Sequence, residues 1–160
     1  MNTELLPFSG ESARKAAEIM RAGGIVGIPT ETVYGLAADA RNESAVRSIF
    51  QAKGRPQDNP LIVHISCIEQ LPPLVREIPD LALKIAEKYW PGPLTMIFPK
   101  SDLIPSATSG GLDTVAVRMP QSPAARAIID ACGFPLAAPS ANLSGSPSPS
   151  ATANTSPKSG

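Results

Sequence analysis

The segment "KGRPQDNP" places two cations, Lys53 and Arg55, on either side of a glycine just beyond a predicted helix. Lysine offers a point charge and arginine a planar, two-pronged donor, so together they can hold a polyphosphate. The alternative is that both cations only complement the dipole where the helix ends. The segment is not a Walker loop, because the GxxxxGK[ST] pattern is missing from the sequence.

His64 is the only histidine of the chain and lies in the apolar segment "PLIVHIS". If this segment is a strand, alternation puts His64 on one face with Ile62 and Ser66. A single histidine in a strand is more often structural than functional. Metal ligation is not expected, because the sequence has no second histidine and no closely spaced pair of cysteines.

Arg118 lies in the predicted strand "TVAVRMP", on the same face as Thr114 and Ala116. An arginine among apolar residues has to find an anion or lie at the edge of a sheet. The anion is either the carboxylate of a ligand or an acidic side chain of the protein, and the sequence leaves both open.

Polar side chains follow two other apolar segments. Ser140 and Asn142 come after "PLAA", and Thr32 and Tyr34 come after "GIVG". Ordinary turn chemistry accounts for either group. Because α/β sheets bind ligands beyond the carboxyl ends of their strands, the same side chains are also placed to contact a small polar ligand.

Alternating helix and strand patterns predict the α/β class, and the close spacing of some strands predicts a mixed sheet. Helices are predicted in "GESARKAAEIMRAGG", with Ser9 as its cap, and in "ESAVRSIFQAK", "DLALKIAEKYW" and "PAARAIIDACG". Strands are predicted in "GIVGIP", "PLIVHIS", "LTMIFPK", "TVAVRMP" and "PLAAPSAN". The polar candidates thus lie inside, or just after, predicted elements of one sheet.

The composition predicts a globular protein without a strong net field. Of the 160 residues 42% are hydrophobic, and 14 Lys and Arg balance 14 Asp and Glu, so no net charge attracts nucleic acid or an anionic membrane. The first residues lack a signal-peptide pattern, and no apolar run is long enough for a membrane helix. Cys67 and Cys132 are expected to be buried free thiols, as in a reducing cytosol, with a structural disulfide as the alternative. We therefore expect a cytoplasmic protein without membrane partners.

The chain changes character at Ser144, because "SGSPSPSATANTSPKSG" contains no large apolar residue. Such a segment cannot bury enough apolar surface to fold by itself. We expect one domain over residues 1–148 and a disordered tail, rich in Ser, Pro and Thr, over residues 149–160.

Five blocks of the sequence resemble, in order and spacing, the YrdC/TsaC family of L-threonylcarbamoyladenylate synthases. They are "GGIVGIPTETVYGLAADA", "KGRPQDNPLIVHI", "YWPGPLT", "VAVRMP" and "PLAAPSANLSG", and the resemblance covers residues 8–148. It implies a YrdC-like fold, which is a twisted sheet of parallel and antiparallel strands with flanking helices around a large concave cavity.

The resemblance also implies a nucleotidyltransferase that converts L-threonine, bicarbonate and ATP, with Mg²⁺, into L-threonylcarbamoyl-AMP and pyrophosphate. The product would pass to the threonylcarbamoyl transferase machinery that modifies adenosine 37 of tRNAs reading ANN codons, and binding of tRNA by this chain is left open. In such a reaction the nucleophile belongs to the substrate, so the enzyme needs positioned charges rather than a catalytic serine.

The family's motifs, carried over position by position, imply roles for individual residues. The catalytic pair would be Lys53 and Arg55, and Arg118 would bind the carboxylate of threonine. The implied ATP-binding residues are Lys53, Arg55, Asn59, Thr114, Ser140, Asn142 and Ser148. The implied L-threonine-binding residues are Thr32, His64, Arg118 and Ala138. No residue is assigned to a metal.

This chain departs from the family pattern after the "SPS" region. There the family continues with a further strand, a helix and a distal Ser-Thr nucleotide contact, whereas this chain has "ATANTSPKSG". We expect the missing segment to leave the cavity more open and ATP binding weaker.

Two other functions remain as alternatives to the synthase. One is a carbamoyl-adenylate-forming module of the hydrogenase-maturation type, although the acylphosphatase-like and zinc-finger segments that accompany that module are not in this sequence. The other is an RNA-binding module without synthase activity, which the balanced charge and the lack of an aromatic and basic stripe disfavour.

Overall fold

A six-stranded mixed sheet organises the part of the chain that this computed structural model describes, namely residues 10–29, 34–53 and 60–139. The strands are β1 (Val26–Pro29), β2 (Tyr34–Asp39), β3 (Ile62–His64), β4 (Thr95–Pro99), β5 (Thr114–Arg118) and β6 (Leu136–Ala138). The helices are α1 (Gly10–Arg21), α2 (Glu43–Lys53), α3 (Asp80–Tyr89), the single turn α4 (Ser106–Ser109) and α5 (Pro123–Cys132). The predicted α/β class with a mixed sheet is confirmed.

The strand order is β1-β2-β6-β3-β5-β4. β3 and β5 run parallel, whereas each of the other neighbouring pairs is antiparallel. The parallel register pairs His64 with Arg118, and β4 adds Thr95 opposite Arg118. Two candidate residues that are distant in the sequence therefore end neighbouring strands in the same row.

α5 shows how local sequence fixes the bounds of a helix. Ser122 accepts a hydrogen bond from the N–H of Ala125, and Pro123 occupies the first turn, where its missing N–H costs nothing. Gly133 ends the helix with φ 79°, a left-handed conformation that favours glycine. None of the helices in the described ranges is long and apolar enough to cross a bilayer.

β2 is not among the predicted strands. Its sequence "YGLAAD" contains no β-branched residue, so strand propensity gives little signal. The strand forms because β1 pairs with one of its edges and β6 with the other, and Ala37 and Ala38 are fully buried between these neighbours and the two packed faces. Tertiary pairing thus overrides weak local preference.

Each face of the sheet has its own apolar cluster. One face packs Val63, Val115 and Val117 against the buried sides of α2, α3 and α4. The opposite face packs Ile28, Ala37, Leu136 and Ala138 against α1 and α5. α1 contributes the predicted stripe to this second cluster, namely Ala13, Ala16, Ala17 and Met20.

Both cysteines are free thiols, as predicted. Cys132 is 5% exposed, and burial raises the pKa of its thiol to about 11. The expectation that Cys67 is buried is wrong, because this residue follows β3 at the surface and is only half-buried.

Thr108 is a fully buried polar residue of α4. Its Oγ1 donates to the carbonyl of Ala40, at 2.8 Å, just after β2. Its own carbonyl accepts from the N–H of Leu61, at 2.9 Å, just before β3. One residue therefore satisfies two backbone groups at the ends of different strands.

Replacing Thr108 with Val should lower the free energy of unfolding by about 1–3 kcal/mol, because the carbonyl of Ala40 loses its donor in a buried place. Urea denaturation would measure the loss. Ser48→Ala is the matched control, because the Ser48 hydroxyl bonds only a carbonyl of its own helix near the surface. Equal stability of Thr108→Val and the control would contradict this role.

Candidate functional site

The face that carries His64 and Arg118 is packed against helices over β1, β2 and β6. On the same face of β3, β4 and β5 the side chains are less covered, and Ile97 is 69% exposed. We call this region the open face, and it consists of Ile62, His64, Thr95, Ile97, Thr114, Ala116 and Arg118. On the reverse side of the same strands Val63, Val115 and Val117 are at most 1% exposed.

His64 is the most buried member of the open face, with 3% exposure. Its Nδ1 lies 3.1 Å from the carbonyl oxygen of Ile62 in the same strand. Because a carbonyl can only accept a hydrogen bond, Nδ1 carries the proton in this contact. The imidazole is thus anchored to its own strand, next to Arg118 in the paired position.

Arg118 is held by the loop between α3 and β4. Its Nε donates to the carbonyl of Gly92 at 3.1 Å, and the N–H of Gly92 donates to the carbonyl of Met119 at 2.9 Å. The sequence leaves the partner of Arg118 open, and the partner of its Nε is a neutral backbone carbonyl. The contact fixes one edge of the guanidinium group at the carboxyl end of β5.

Asp39 is the acidic residue at the end of β2, in the same row of the sheet as Leu136 and His64. Its carboxylate accepts from the backbone N–H and Nε of Arg41 and from Nη2, each at 2.9 Å. This hydrogen bonding raises the pKa of the Arg41 guanidinium. The negative charge of Asp39 is therefore balanced locally by its neighbour in the sequence.

Thr114 and Arg118 lie on the same side of β5, four residues apart, which is roughly 13 Å along a strand. Between them lies Ala116, whose paired neighbours are Ile62 and Ile97. The small side chain of Ala116 leaves space above β5 between Thr114 and Arg118. We call the line Thr114–Ala116–Arg118 the strip. It has a hydroxyl at one end and a cation at the other, so it can receive an elongated ligand that ends in an anion.

Ala138, the last of the four predicted threonine contacts, ends β6 and pairs with Ile62 at the border of the open face. It is 2% exposed and belongs to the cluster under α1 and α5. The described chain also leaves β6 at Pro139, close to where it re-enters β3 at Pro60 and Leu61. The described ends of the "KGRPQDNP" and "APSAN" motifs, Pro60 and Pro139, therefore lie beside neighbouring strands of the sheet.

Several predicted site residues lie outside the described residues: Thr32, Arg55, Asn59, Ser140, Asn142 and Ser148. Lys53 is the last residue of α2, and the position of its side chain is likewise outside them. Among the described residues, no group of three or more His, Cys, Asp or Glu side chains is arranged to hold a metal ion.

Sequence reasoning assigns no role to two residues that contact or flank Arg118. Thr95 pairs directly with Arg118 across β4 and β5, and Gly92 binds its Nε. The available signal is the block "YWPGPLT", which contains both residues. Local pattern cannot assign them, because their roles depend on β4 lying beside β5.

The sequence matches the model of the Sua5/YciO/YrdC family, described as telomere recombination, over residues 18–159. It is 57% identical over 136 residues to a threonylcarbamoyl-AMP synthase of Pyrococcus abyssi, a match that covers 85% of this chain and 40% of the relative. It is 50% identical over 148 residues to the synthase of the same name from Bacillus subtilis, covering 92% of this chain and 43% of the relative. The chain thus spans about two fifths of the length of these relatives.

The fold is similar to that of P. abyssi Sua5 in its crystal structure complexed with L-threonine. The TM-score is 0.84 at 53% sequence identity, and the match covers 90% of this chain and 42% of the other. The mixed sheet with flanking helices is therefore the architecture of that group of proteins.

Replacing Ala116 with Leu should change the free energy of unfolding little, because the added atoms project from the open face. Ala137→Leu is the matched comparison, since Ala137 is fully buried on the reverse face of β6. It should cost about 1–3 kcal/mol through overpacking. Urea denaturation of both variants checks this. An equally large loss of unfolding free energy in Ala116→Leu would show that other parts of the protein pack against the open face at this position.

Proposed function

The chain belongs to the Sua5/YciO/YrdC family, and we propose that it forms L-threonylcarbamoyl-AMP and pyrophosphate from L-threonine, bicarbonate and ATP. The observation that carries the proposal is the pairing of His64 with Arg118 on the open face. The names of the relatives and the L-threonine in the Sua5 crystal structure support the same substrate. We take the open face as one wall of the concave cavity that the family implies.

L-Threonine would lie at the Arg118 end of the strip. The guanidinium would bind the substrate carboxylate, because arginine matches a carboxylate with two parallel donors. His64 would form the wall beside it, with Thr32 and Ala138 completing the pocket. The carbonyl of Gly92 orients the guanidinium through Nε.

ATP would extend toward Thr114, roughly 13 Å along β5 from Arg118. Lys53 and Arg55 would neutralise the triphosphate, and the remaining proposed contacts are Asn59, Ser140, Asn142 and Ser148. The described residues that border these motifs are Pro60, which precedes β3, and Pro139, which follows β6, next to the paired residues Ile62 and Ala138. The spacing of Thr114 and Arg118 suits a ligand that joins an amino acid to a nucleotide.

The chemistry would proceed in two steps. The amine of L-threonine attacks the carbon of bicarbonate, and loss of water gives an N-carboxylate, the carbamate. A carbamate oxygen then attacks the α-phosphorus of ATP, and the bond to the bridging oxygen breaks to release pyrophosphate. Lys53 and Arg55 would stabilise the charge that develops on the phosphates.

Mg²⁺ prefers oxygen ligands and commonly binds through substrate phosphates while keeping several waters. The described residues offer it no cluster of carboxylates. We therefore assign no metal ligand among the described residues, and the ion would enter with ATP. The roles of the side chains above do not depend on it.

The product is a mixed anhydride, so it needs an acceptor that uses its activated carbonyl. We propose that it passes in the cytoplasm to the machinery that modifies adenosine 37 of tRNAs reading ANN codons. The equal numbers of basic and acidic residues, 14 each, give no basis for strong tRNA binding by this chain itself.

The protein should release pyrophosphate only when L-threonine, bicarbonate and ATP are all present, because the carbamate nucleophile needs the first two. A coupled pyrophosphate assay with each component omitted in turn tests this. Absence of product under conditions where a full-length relative works would overturn the proposal for this chain. Pyrophosphate release with carbamoyl phosphate in place of L-threonine and bicarbonate would favour the hydrogenase-maturation type, and RNA binding without any release would favour an RNA-binding module.

Substitutions at the two ends of the site should weaken the binding of different substrates. Lys53→Ala and Arg55→Ala should each weaken ATP binding by about tenfold or more and L-threonine binding much less, since a lost charge-assisted contact is worth about 1.5–3 kcal/mol. Arg118→Ala should do the reverse. Titration calorimetry measures both ligands, and Arg47→Ala serves as control because it removes a cation from the exposed side of α2. Unaltered L-threonine affinity in Arg118→Ala would remove the carboxylate role.

A further inference from the structure

The loop of residues 90–94 contacts the end of β5 through both polar groups of one residue. The carbonyl of Gly92 accepts from Nε of Arg118 at 3.1 Å, and its N–H donates to the carbonyl of Met119 at 2.9 Å. Gly92 is itself buried. The peptide groups of Gly92 therefore hold Arg118, the last residue of β5, by its side chain and the following residue, Met119, by its backbone.

The loop is fixed independently of that contact. The indole N–H of Trp90 donates to the carbonyl of Leu94 at 2.8 Å, closing the loop across its base. The backbone N–H of Trp90 donates to the carbonyl of Ala86 in α3 at 2.9 Å, and Trp90 is 8% exposed within the core cluster. The contacts of Trp90 therefore fix the loop that contains the carbonyl of Gly92.

Position 92 requires the absence of a side chain. A Cβ built on Gly92 would lie 2.4 Å from the carbonyl oxygen of Tyr89, which is backbone and cannot rotate away. Any other residue would force the loop to shift. A shift would move the carbonyl that receives Nε of Arg118, while most of β5 would keep its pairing with β3 and β4.

We propose that Gly92 is a positioning residue for substrate binding. Its carbonyl sets the plane of the Arg118 guanidinium, and hence the direction in which the carboxylate of L-threonine is bound. Two parallel hydrogen bonds to a carboxylate require that plane to be fixed, and an arginine oriented beforehand loses less freedom when the ligand binds. This inference rests on the proposed function of Arg118.

Gly92→Ala should raise the KM for L-threonine about tenfold or more and leave the KM for ATP within about twofold. The matched control is Gly27→Ala, because an added Cβ at this strand glycine meets nothing within 4 Å. A second control asks whether the effect passes through Arg118. In an Arg118→Lys background Gly92→Ala should have little further effect, because the Nε donor of the guanidinium is then gone.

Trp90→Phe provides a milder variant in case Gly92→Ala does not fold. It removes the indole donor to Leu94 while keeping an aromatic ring in the core, and it should raise the KM for L-threonine by a few-fold. Tyr89→Phe is its control, because Tyr89 is 52% exposed. Thermal denaturation of all variants separates loss of fold from loss of orientation.

The outcomes distinguish the inference from the function on which it rests. If the unsubstituted protein neither binds L-threonine in calorimetry nor releases pyrophosphate, the proposed function is wrong and the inference falls with it. If it does both, and Gly92→Ala and Trp90→Phe bind L-threonine as well as their controls, only the inference is overturned. A parallel rise in both KM values, or full additivity with Arg118→Lys, would also overturn it by assigning Gly92 a general structural role.

Discussion

The parallel pairing of β3 with β5 is the constraint on which the rest of the site depends. It aligns His64 with Arg118 at the carboxyl ends of two strands, and a one-residue change in that register would send one of the two side chains to the opposite face. Arg118 is then in reach of Gly92, and Thr95 in β4 is placed beside it. A cation, an imidazole and a hydroxyl thereby share one row.

The unequal covering of the sheet separates stability from binding. The valine-rich face of β3 and β5 packs against α2, α3 and α4 and has almost no exposed surface. The other face is closed by α1 and α5 over β1, β2 and β6, whereas β4 carries Ile97 largely exposed. One face of β5 is therefore fixed by packing against helices, while the opposite face, which carries the small side chain of Ala116, stays accessible. Rigid support behind an accessible surface favours precise placement of a ligand.

Much of the fold follows from local pattern. The helical pattern of "PAARAIIDACG", from Pro123 to Gly133, predicts α5 nearly to its bounds. Apolar runs predict five of the strands, although β3 proves shorter than its apolar run. β2 escapes prediction because "YGLAAD" is held in the sheet by β1 and β6 rather than by its own propensity. The single turn α4 is too short for periodicity to reveal, although Thr108 in it satisfies two separate strands.

The sequence by itself determined the residue types of the site and their family resemblance, since His64 and Arg118 lie in recognisable blocks and Thr114 directly precedes one, and alternation gives each its face within a strand. It did not determine which strands are neighbours, because pairing joins residues far apart in the chain. Only the tertiary structure decided that Arg118 is oriented by the backbone of Gly92, since a carbonyl is common to all residues and leaves no trace in the side-chain pattern. The glycine is visible in the sequence, but the reason for it, the closeness of Tyr89, is a property of the folded loop.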